Sequence, residues 1–190
     1  NKIAFLTPGS FHMTTFDLLV TGTIDVSREK EAAVAEQVVR ALAGLGSVDL
    51  IQMFVQGIQL YWVPSLVATV YPADKDQLAR LYMVRDTLKR HTGVELPPFI
   101  GHITLGYVVQ PISREEYPRF VDIIGQYQDS VMGNLSMEEI EMRHFKDMQN
   151  YDRVPVRYRL ADGHIIAEGA SSPVDNHKEE VKSQSNAYED

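Results

Sequence analysis

The sequence contains no cysteine, fewer basic than acidic residues, and no long apolar run. The absence of cysteine excludes disulfides, thiolate zinc sites and a cysteine nucleophile. There are 18 Lys and Arg residues against 26 Asp and Glu, and the net charge of −8 repels a phosphate backbone, so we expect no duplex DNA partner. No segment reaches the roughly 18 apolar residues of a membrane helix, and the apolar stretch 3–6 is too short for a secretory signal. We therefore expect a cytoplasmic monomer without a membrane partner, although one nucleotide or RNA end could occupy a local cleft.

Apolar residues make up 44% of the 190 residues, which is enough for one domain with its own core. The last 20 residues, 171–190, differ because they contain five acids, two lysines and almost no aliphatic side chains. Such a segment cannot bury enough apolar surface to offset its ordering entropy. We predict one folded domain over 1–170 followed by a disordered acidic tail. Because the chain starts with Asn1, we expect that residues upstream, including an N-terminal strand, have been removed.

Three helices are predicted from capping residues and apolar spacing. The first covers about 28–43, and the second runs from Asp74 to Gly93. Ser113 and Glu116 form a capping box before the third helix. The side of the second helix that faces the core is predicted to contain Leu78, Leu81, Tyr82, Arg85 and Leu88. The inner face of the third is predicted to contain Tyr117, Phe120, Val121 and Ile124.

Strands are predicted between and after these helices. The stretch 48–70 is rich in β-forming residues, with a break at Gly57, and the stretch 139–145 alternates in the manner of a strand. Asp162-Gly163 separates two short apolar runs, which is typical of a tight hairpin. With about seven strands among three helices, the predicted fold class is α/β (α+β).

One short pattern occurs twice, as His12-Met13-Thr14 and as His102-Ile103-Thr104. In a strand, alternate side chains share a face, so each His would lie beside its Thr while the apolar residue between them faces a core. A single His-x-Thr is more often structural than functional. Two of them among six histidines, both in strand-like surroundings, are expected by chance only in about a few per cent of such sequences. The pair therefore favours a functional site.

Two histidines on one cleft suit phosphodiester hydrolysis. A neutral imidazole can take the proton of an attacking water while a protonated one donates to the leaving oxygen. The intrinsic pKa of imidazole, about 6.5, allows both forms near neutral pH. The hydroxyls of Thr14 and Thr104 would hold the non-bridging phosphate oxygens. This chemistry requires no metal, and the sequence leaves open which His is the acid.

At these motifs the sequence resembles the two-histidine (2H) phosphoesterase superfamily, and the stretch 6–14 is most similar to its cyclic-phosphodiesterase-like bacterial branch. The resemblance implies a bilobed fold, in which two pseudo-symmetric lobes with antiparallel sheets line a central cleft and helices lie outside. It also implies hydrolysis of a 2′,3′-cyclic phosphate or a related nucleotide or RNA-end phosphodiester without metal or cofactor. By position, His12 and His102 would be the catalytic acid and base, and Thr14 and Thr104 the phosphate-binding residues. Thr15 departs from the apolar residue that the superfamily prefers.

Other residues are weaker candidates. Phe16 shares the predicted face of His12 and could stack on a base, although such a ring more often packs in a core. Gly106 would leave room for a ligand, and Tyr107 is predicted to face the core. Either Tyr61 or Trp62 could place its ring in the cleft.

Two alternatives to this enzyme remain open at the level of sequence. One is a non-catalytic module that binds nucleotides or RNA ends on the same fold. The other is a metal-dependent hydrolase using Asp17, which lacks neighbouring ligands at a suitable spacing. Chelator treatment and a product assay would distinguish the three, and the natural substrate is not determined by the sequence.

Overall fold

The structure is a computed structural model that describes residues 2–16, 28–61, 65–143 and 156–167. In these ranges it contains three α-helices, α1 (Arg28–Leu45), α2 (Lys75–Thr92) and α3 (Tyr117–Gly125), and a short 3₁₀ helix at Pro8–Ser10. The strands are β1 (Ile3–Phe5), β2 (Ile51–Tyr61), β3 (Ser65–Pro72), β4 (Gly101–Val108), β5 (Val131–Met137), β6 (Glu139–Met142), β7 (Val156–Arg159) and β8 (Ile165–Ala167). The predicted α+β class is confirmed.

The described strands form two antiparallel sheets. The larger has the order β1-β4-β3-β2-β5, and the smaller has the order β6-β7-β8. The hairpin predicted at Asp162-Gly163 joins β7 to β8. β4 lies between β1 and β3, and the second His-x-Thr motif lies on the part of β4 that pairs with β3 and extends beyond β1.

Helix α2 has the ends that the sequence predicts. The Asp74 side chain accepts a hydrogen bond of 2.8 Å from the Gln77 N–H, and Gly93 caps the last turn in a left-handed conformation. The predicted inner face is only partly correct, because Leu78 and Tyr82 are exposed. The buried side of α2 consists of Leu81, Val84, Arg85, Thr87 and Leu88.

One hydrophobic core joins the two long helices to one face of the large sheet and to β7. Leu42 of α1 and Leu81 of α2 are buried there, as are Met53 and Val70 of the sheet. Tyr158 of β7 is buried too, and its hydroxyl donates to the Gly46 carbonyl at the end of α1. Burying a side chain of this size stabilises the fold by about 1.5–3 kcal/mol. The core thus covers one face of the large sheet, and a functional site can form only on the opposite face.

Helix α3 begins at the predicted capping box. The Ser113 N–H donates to the Glu116 carboxylate at 3.0 Å, and the Glu116 N–H donates to the Ser113 hydroxyl at 3.3 Å. The predicted inner face is only partly correct, because Phe120 and Ile124 are half-buried whereas Tyr117 exposes 54% of its surface and Val121 43%. Apolar spacing identifies the apolar side of a helix, but it does not show how closely another element packs against that side.

Glu116 also connects the cap of α3 to the N-terminal strand. Lys2 donates a hydrogen bond to its carboxylate, and this contact, with those from Ser113, lowers the pKa of Glu116 from 4.5 to about 2. Since the folded pKa is depressed, the carboxylate stabilises the fold fully above about pH 4.5, and this contribution is lost as the pH falls toward 2.

We expect Glu116→Gln to lower the thermal unfolding midpoint at pH 7, and the difference from the wild type to shrink as the pH falls from 4.5 toward 2. Circular dichroism melts across this range measure it. A difference that is the same at every pH would show that the charge of Glu116 is not responsible.

The predicted tail at 171–190, the domain boundary at 170, Asp17 and Trp62 lie outside the described residues. The helices that are described are all too short or too polar to cross a membrane.

Candidate active site

The first motif follows a compact turn rather than forming a regular strand. The Ser10 N–H and hydroxyl both donate to the Thr7 carbonyl, at 2.9 and 2.8 Å, within the 3₁₀ helix. This turn carries the chain away from β4 after β1 ends. The chain returns at Met13, which forms an isolated antiparallel bridge with Ile103. The predicted strand at the first motif is therefore wrong beyond that single pair, because the turn interrupts the pairing that β1 begins.

The second motif lies on β4, as predicted, and has neighbours on both sides. In the pairing of β4 with β3, His102 lies opposite Thr69 and Thr104 lies opposite Val67. Directly opposed residues of an antiparallel pair point to the same face of the sheet. The side chains of these four residues thus share one face.

The bridge between Met13 and Ile103 brings the two motifs together. On either side of this bridge, His12 and Thr14 run antiparallel to Thr104 and His102. Both bridging residues pack against the hydrophobic core. Since side chains alternate along extended chain, the two His and two Thr side chains lie on the side away from the core. The antiparallel bridge gives the two motifs a local two-fold relation.

The two imidazoles are anchored in the same way. Nδ1 of His12 is 2.9 Å from the carbonyl oxygen of Ser10, and Nδ1 of His102 is 3.2 Å from that of Ile100. In each case the acceptor belongs to the residue two positions earlier. A carbonyl oxygen only accepts, so Nδ1 must carry a proton in both rings. The neutral ring then has its lone pair on Nε2, the atom that can exchange a proton with a substrate.

The two threonines differ in their surroundings. Thr14 is exposed, whereas Thr104 exposes only 8% of its surface. The Thr104 side chain is hydrogen-bonded to the Tyr107 phenol, and burial raises the pKa of Tyr107 despite this bond. A buried hydroxyl with a fixed partner is held in one orientation.

A β-bulge overturns two predictions made from simple alternation along β4. Thr104 pairs with Val67 and Gly106 with Leu66, so two steps on β4 match one step on β3. Beyond the bulge, the alternation of side chains between the two faces of the sheet is reversed. Tyr107 therefore reaches the Thr104 side chain instead of the core face. The space at Gly106 is not open to a ligand either, because an added Cβ would lie 2.7 Å from the Ala4 carbonyl oxygen of β1.

Two aromatic candidates are placed differently. The Tyr61 ring lies against His102, with 5.1 Å between ring centroids and a tilt of 32°. Tyr61 is therefore placed at the site, whereas Trp62, the other ring of the predicted pair, lies outside the described residues. Phe16 is half-buried and packs against the hydrophobic core, as expected if its ring is structural. Stacking of Phe16 on a base stays a prediction.

Arg85 of α2 is a site residue that the sequence did not reveal. It exposes only 5% of its surface, and its guanidinium donates to two backbone carbonyls, those of Thr15 and Pro97, the latter at 2.6 Å. The first carbonyl directly follows the first motif, and the second precedes the other motif by a few residues. The guanidinium also lies over the Phe99 ring, 5.4 Å from its centroid. One buried side chain thus connects the chain segments that carry both histidines.

The fork geometry of a guanidinium explains why this position holds arginine. Two carbonyls that approach from different segments need two donors in fixed directions, which a lysine ammonium does not provide. The one signal in the sequence was an arginine on the core-facing side of a helix that otherwise has apolar residues there. That signal indicates a buried polar contact, but it does not identify the contact's partner.

No group of three His, Cys, Asp or Glu side chains suited to a metal ion occurs within the described ranges. The metal alternative that used Asp17 lies outside them.

No protein-family model and no curated protein matches the chain. Solved structures do match it. TT0787 of Thermus thermophilus has a TM-score of 0.56 and 16% identity over 86% of this chain and 85% of that one. A conserved protein of unknown function from Agrobacterium tumefaciens, ATU0111, has a TM-score of 0.53 and 19% identity over 86% and 72%. E. coli LigT in complex with 3′-AMP has a TM-score of 0.48 and 17% identity over 85% and 82%.

Solved structures at these sequence identities show which fold the chain has and do not show its function. Here that fold is an antiparallel sheet with helices on its core face and two antiparallel His-x-Thr motifs on the other. The chain shares this fold with TT0787 and ATU0111. The resemblance to the 2H phosphoesterase superfamily is carried by the two motifs. In this fold, the pairing of Met13 with Ile103 is the contact that turns two distant motifs into one candidate site.

Proposed function

We propose that the chain is a metal-independent phosphodiesterase that hydrolyses a 2′,3′-cyclic phosphate or a related nucleotide or RNA-end phosphodiester. The observation that carries this proposal is the antiparallel pairing of Met13 with Ile103. This pairing supports a site in which one imidazole and one hydroxyl from each motif approach a phosphate from either side of a local two-fold axis.

His12 and His102 exchange protons with the reacting oxygens through Nε2. The neutral ring takes a proton from water as the water oxygen bonds to phosphorus. The protonated ring gives a proton to the 2′- or 3′-oxygen as the bond from that oxygen to phosphorus breaks. One proton is taken up and one is released, so the products are a phosphomonoester and a free hydroxyl. The carbonyls of Ser10 and Ile100 keep both rings in the required tautomer throughout.

Thr14 and Thr104 bind the non-bridging oxygens, on which negative charge grows in the transition state. Thr104 is the more rigid of the two because it is buried and bonded to Tyr107. Tyr61 supports the orientation of His102 by lying against its ring. These contacts fix the donors before the substrate binds, which reduces the reorganisation that the reaction requires.

The proposal is tested by incubating the four 2′,3′-cyclic nucleotides with the protein in excess chelator and separating the products. We expect phosphomonoesters to form at the same rate with and without chelator. A rate that falls to background with chelator would favour a metal-dependent hydrolase. Saturable nucleotide binding by calorimetry with no product would favour the non-catalytic binding module.

A further inference from the structure

A pocket lies on the histidine side of the large sheet, next to the candidate active site. Its volume is about 210 Å³. Pockets that take a drug-sized ligand have about 300–1,000 Å³, so this one fits a single ring system better than a whole nucleotide. The residues that give it its chemistry are Gln56, Gln59, Thr69, Tyr71, Gln128 and Asp129.

Thr69 joins this pocket to the active site. It lies directly opposite His102 on one side and opposite Gln56 on the other, so all three side chains share a face. Neighbouring strands are about 4.8 Å apart, which places Gln56 roughly 10 Å from His102. A purine nucleoside spans about this length from its 2′,3′-phosphate to the far edge of the base. A phosphate at the histidines would therefore place a purine in the pocket.

The outer wall of the pocket depends on a bulge in β2. Gly57 has a φ of 72° at the irregularity between Gln56 and Ile58. A side chain there would overlap the Gln128 carbonyl. The Gly57 N–H donates to the Ser130 carbonyl at 2.9 Å, which holds the loop after α3 against the strand. Gly57 thereby allows Gln128 and Asp129 to reach the pocket.

The side chains at the pocket match the edge of a nucleobase. Glutamine amides both donate and accept hydrogen bonds, whereas the Asp129 carboxylate only accepts. Guanine presents two adjacent donors, N1–H and the N2 amino group, to such a carboxylate. Adenine presents the N1 acceptor at the same place, which a carboxylate repels. Tyr71 exposes 52% of its surface and offers a ring on which a base can stack.

We propose that this pocket is a nucleobase subsite that selects guanine on the substrate held by the two histidines. The inference rests on the proposed function for its substrate class. Asp129 reads N1–H and the N2 amino group of the base, and the glutamine amides bind its remaining polar edge.

The test compares kcat/KM for 2′,3′-cyclic GMP, AMP and UMP with that for a base-free methyl riboside 2′,3′-cyclic phosphate. We expect the wild type to prefer the guanosine substrate. In Asp129→Asn, the ratio of kcat/KM between the guanosine and base-free substrates is expected to fall about ten- to hundredfold, as for loss of a charged hydrogen bond. Asp122→Asn removes the same charge from exposed α3, outside the pocket, and should leave this ratio as in the wild type.

Equal turnover of all bases, or an unchanged ratio in Asp129→Asn, would overturn the subsite while leaving the phosphodiesterase intact. Absence of turnover on every substrate, the base-free one included, would instead overturn the proposed function. In that event calorimetry with 2′-GMP decides the subsite separately. Weaker binding to Asp129→Asn than to the wild type supports it, and equal binding contradicts it.

Discussion

Replacing His12 or His102 with Asn is expected to lower kcat by about 10²–10⁴-fold, the contribution of a positioned acid or base. Asn suits this test because its amide nitrogen can keep the hydrogen bond that Nδ1 donates to Ser10 or Ile100. It has no counterpart to Nε2, so proton transfer is lost while the local backbone contact remains. Steady-state kinetics on a cyclic nucleotide, with thermal melts to confirm folding, measure the effect.

The same variants assign the two proton-transfer roles. With one base and one acid, the wild-type rate should follow a bell-shaped dependence on pH. The variant that loses the acidic limb lacks the base, and the variant that loses the basic limb lacks the acid. The double variant should lose less than the product of the two single losses, since the residues act in one step.

His91 provides the matched control. It is exposed on α2, and its Nδ1 also contacts a backbone carbonyl, that of Thr87, at 2.9 Å. His91→Gln should retain wild-type kcat and the full pH profile. If His12→Asn and His102→Asn behave like this control, the acid–base assignment is wrong.

Replacing Arg85 with Met is expected to damage activity and stability together. The carbonyls of Thr15 and Pro97 lose their donor, and losing a hydrogen bond from a charged group costs about 1.5–3 kcal/mol. The segments that carry both histidines can then shift, and a displacement of about 1 Å can lower the rate up to about 100-fold. We expect kcat to fall by about ten- to hundredfold with a smaller change in KM.

Measuring kcat per folded molecule, at a temperature well below the unfolding midpoint, distinguishes a positioning role of Arg85 from a purely structural one. Arg85 as a positioning residue predicts that kcat remains low there and that the NMR signals of both His12 and His102 move. Arg85→Lys should recover part of the activity, because an ammonium can reach one carbonyl but not both. Arg90→Met, on an exposed part of the same helix, is the control. Unchanged kcat per folded molecule in Arg85→Met would refute the positioning role.

Local patterns predicted the helices well because their signals lie within a few residues. The Asp74 cap and the capping box of Ser113 and Glu116 appear as expected. Where a prediction needed a distant partner it failed more often. The exposed side of α3 depends on what packs against the helix, and the position of Tyr107 depends on a bulge against β3. Neither partner is visible in the segment itself.

The candidate site shows the same division. The repeated motif predicted four residues, and the structure brings them to one face. The carbonyls that anchor the imidazoles and the fork of Arg85 were not predicted, and Tyr61 was predicted only as one of two rings that could face the cleft. These are contacts of backbone atoms and of residues far apart in the chain, and residue type alone does not identify them.

By itself the sequence determined which chemistry the chain can offer, because a spacing of two residues puts the imidazole and the hydroxyl of each motif on one face wherever the chain is extended. Only the tertiary structure decided that motifs 90 residues apart share one site. That outcome depends on the register of Met13 against Ile103 and on Arg85 holding both flanking segments. Register is a long-range property, set by how the whole sheet packs on its helices, so no local pattern of residues encodes it.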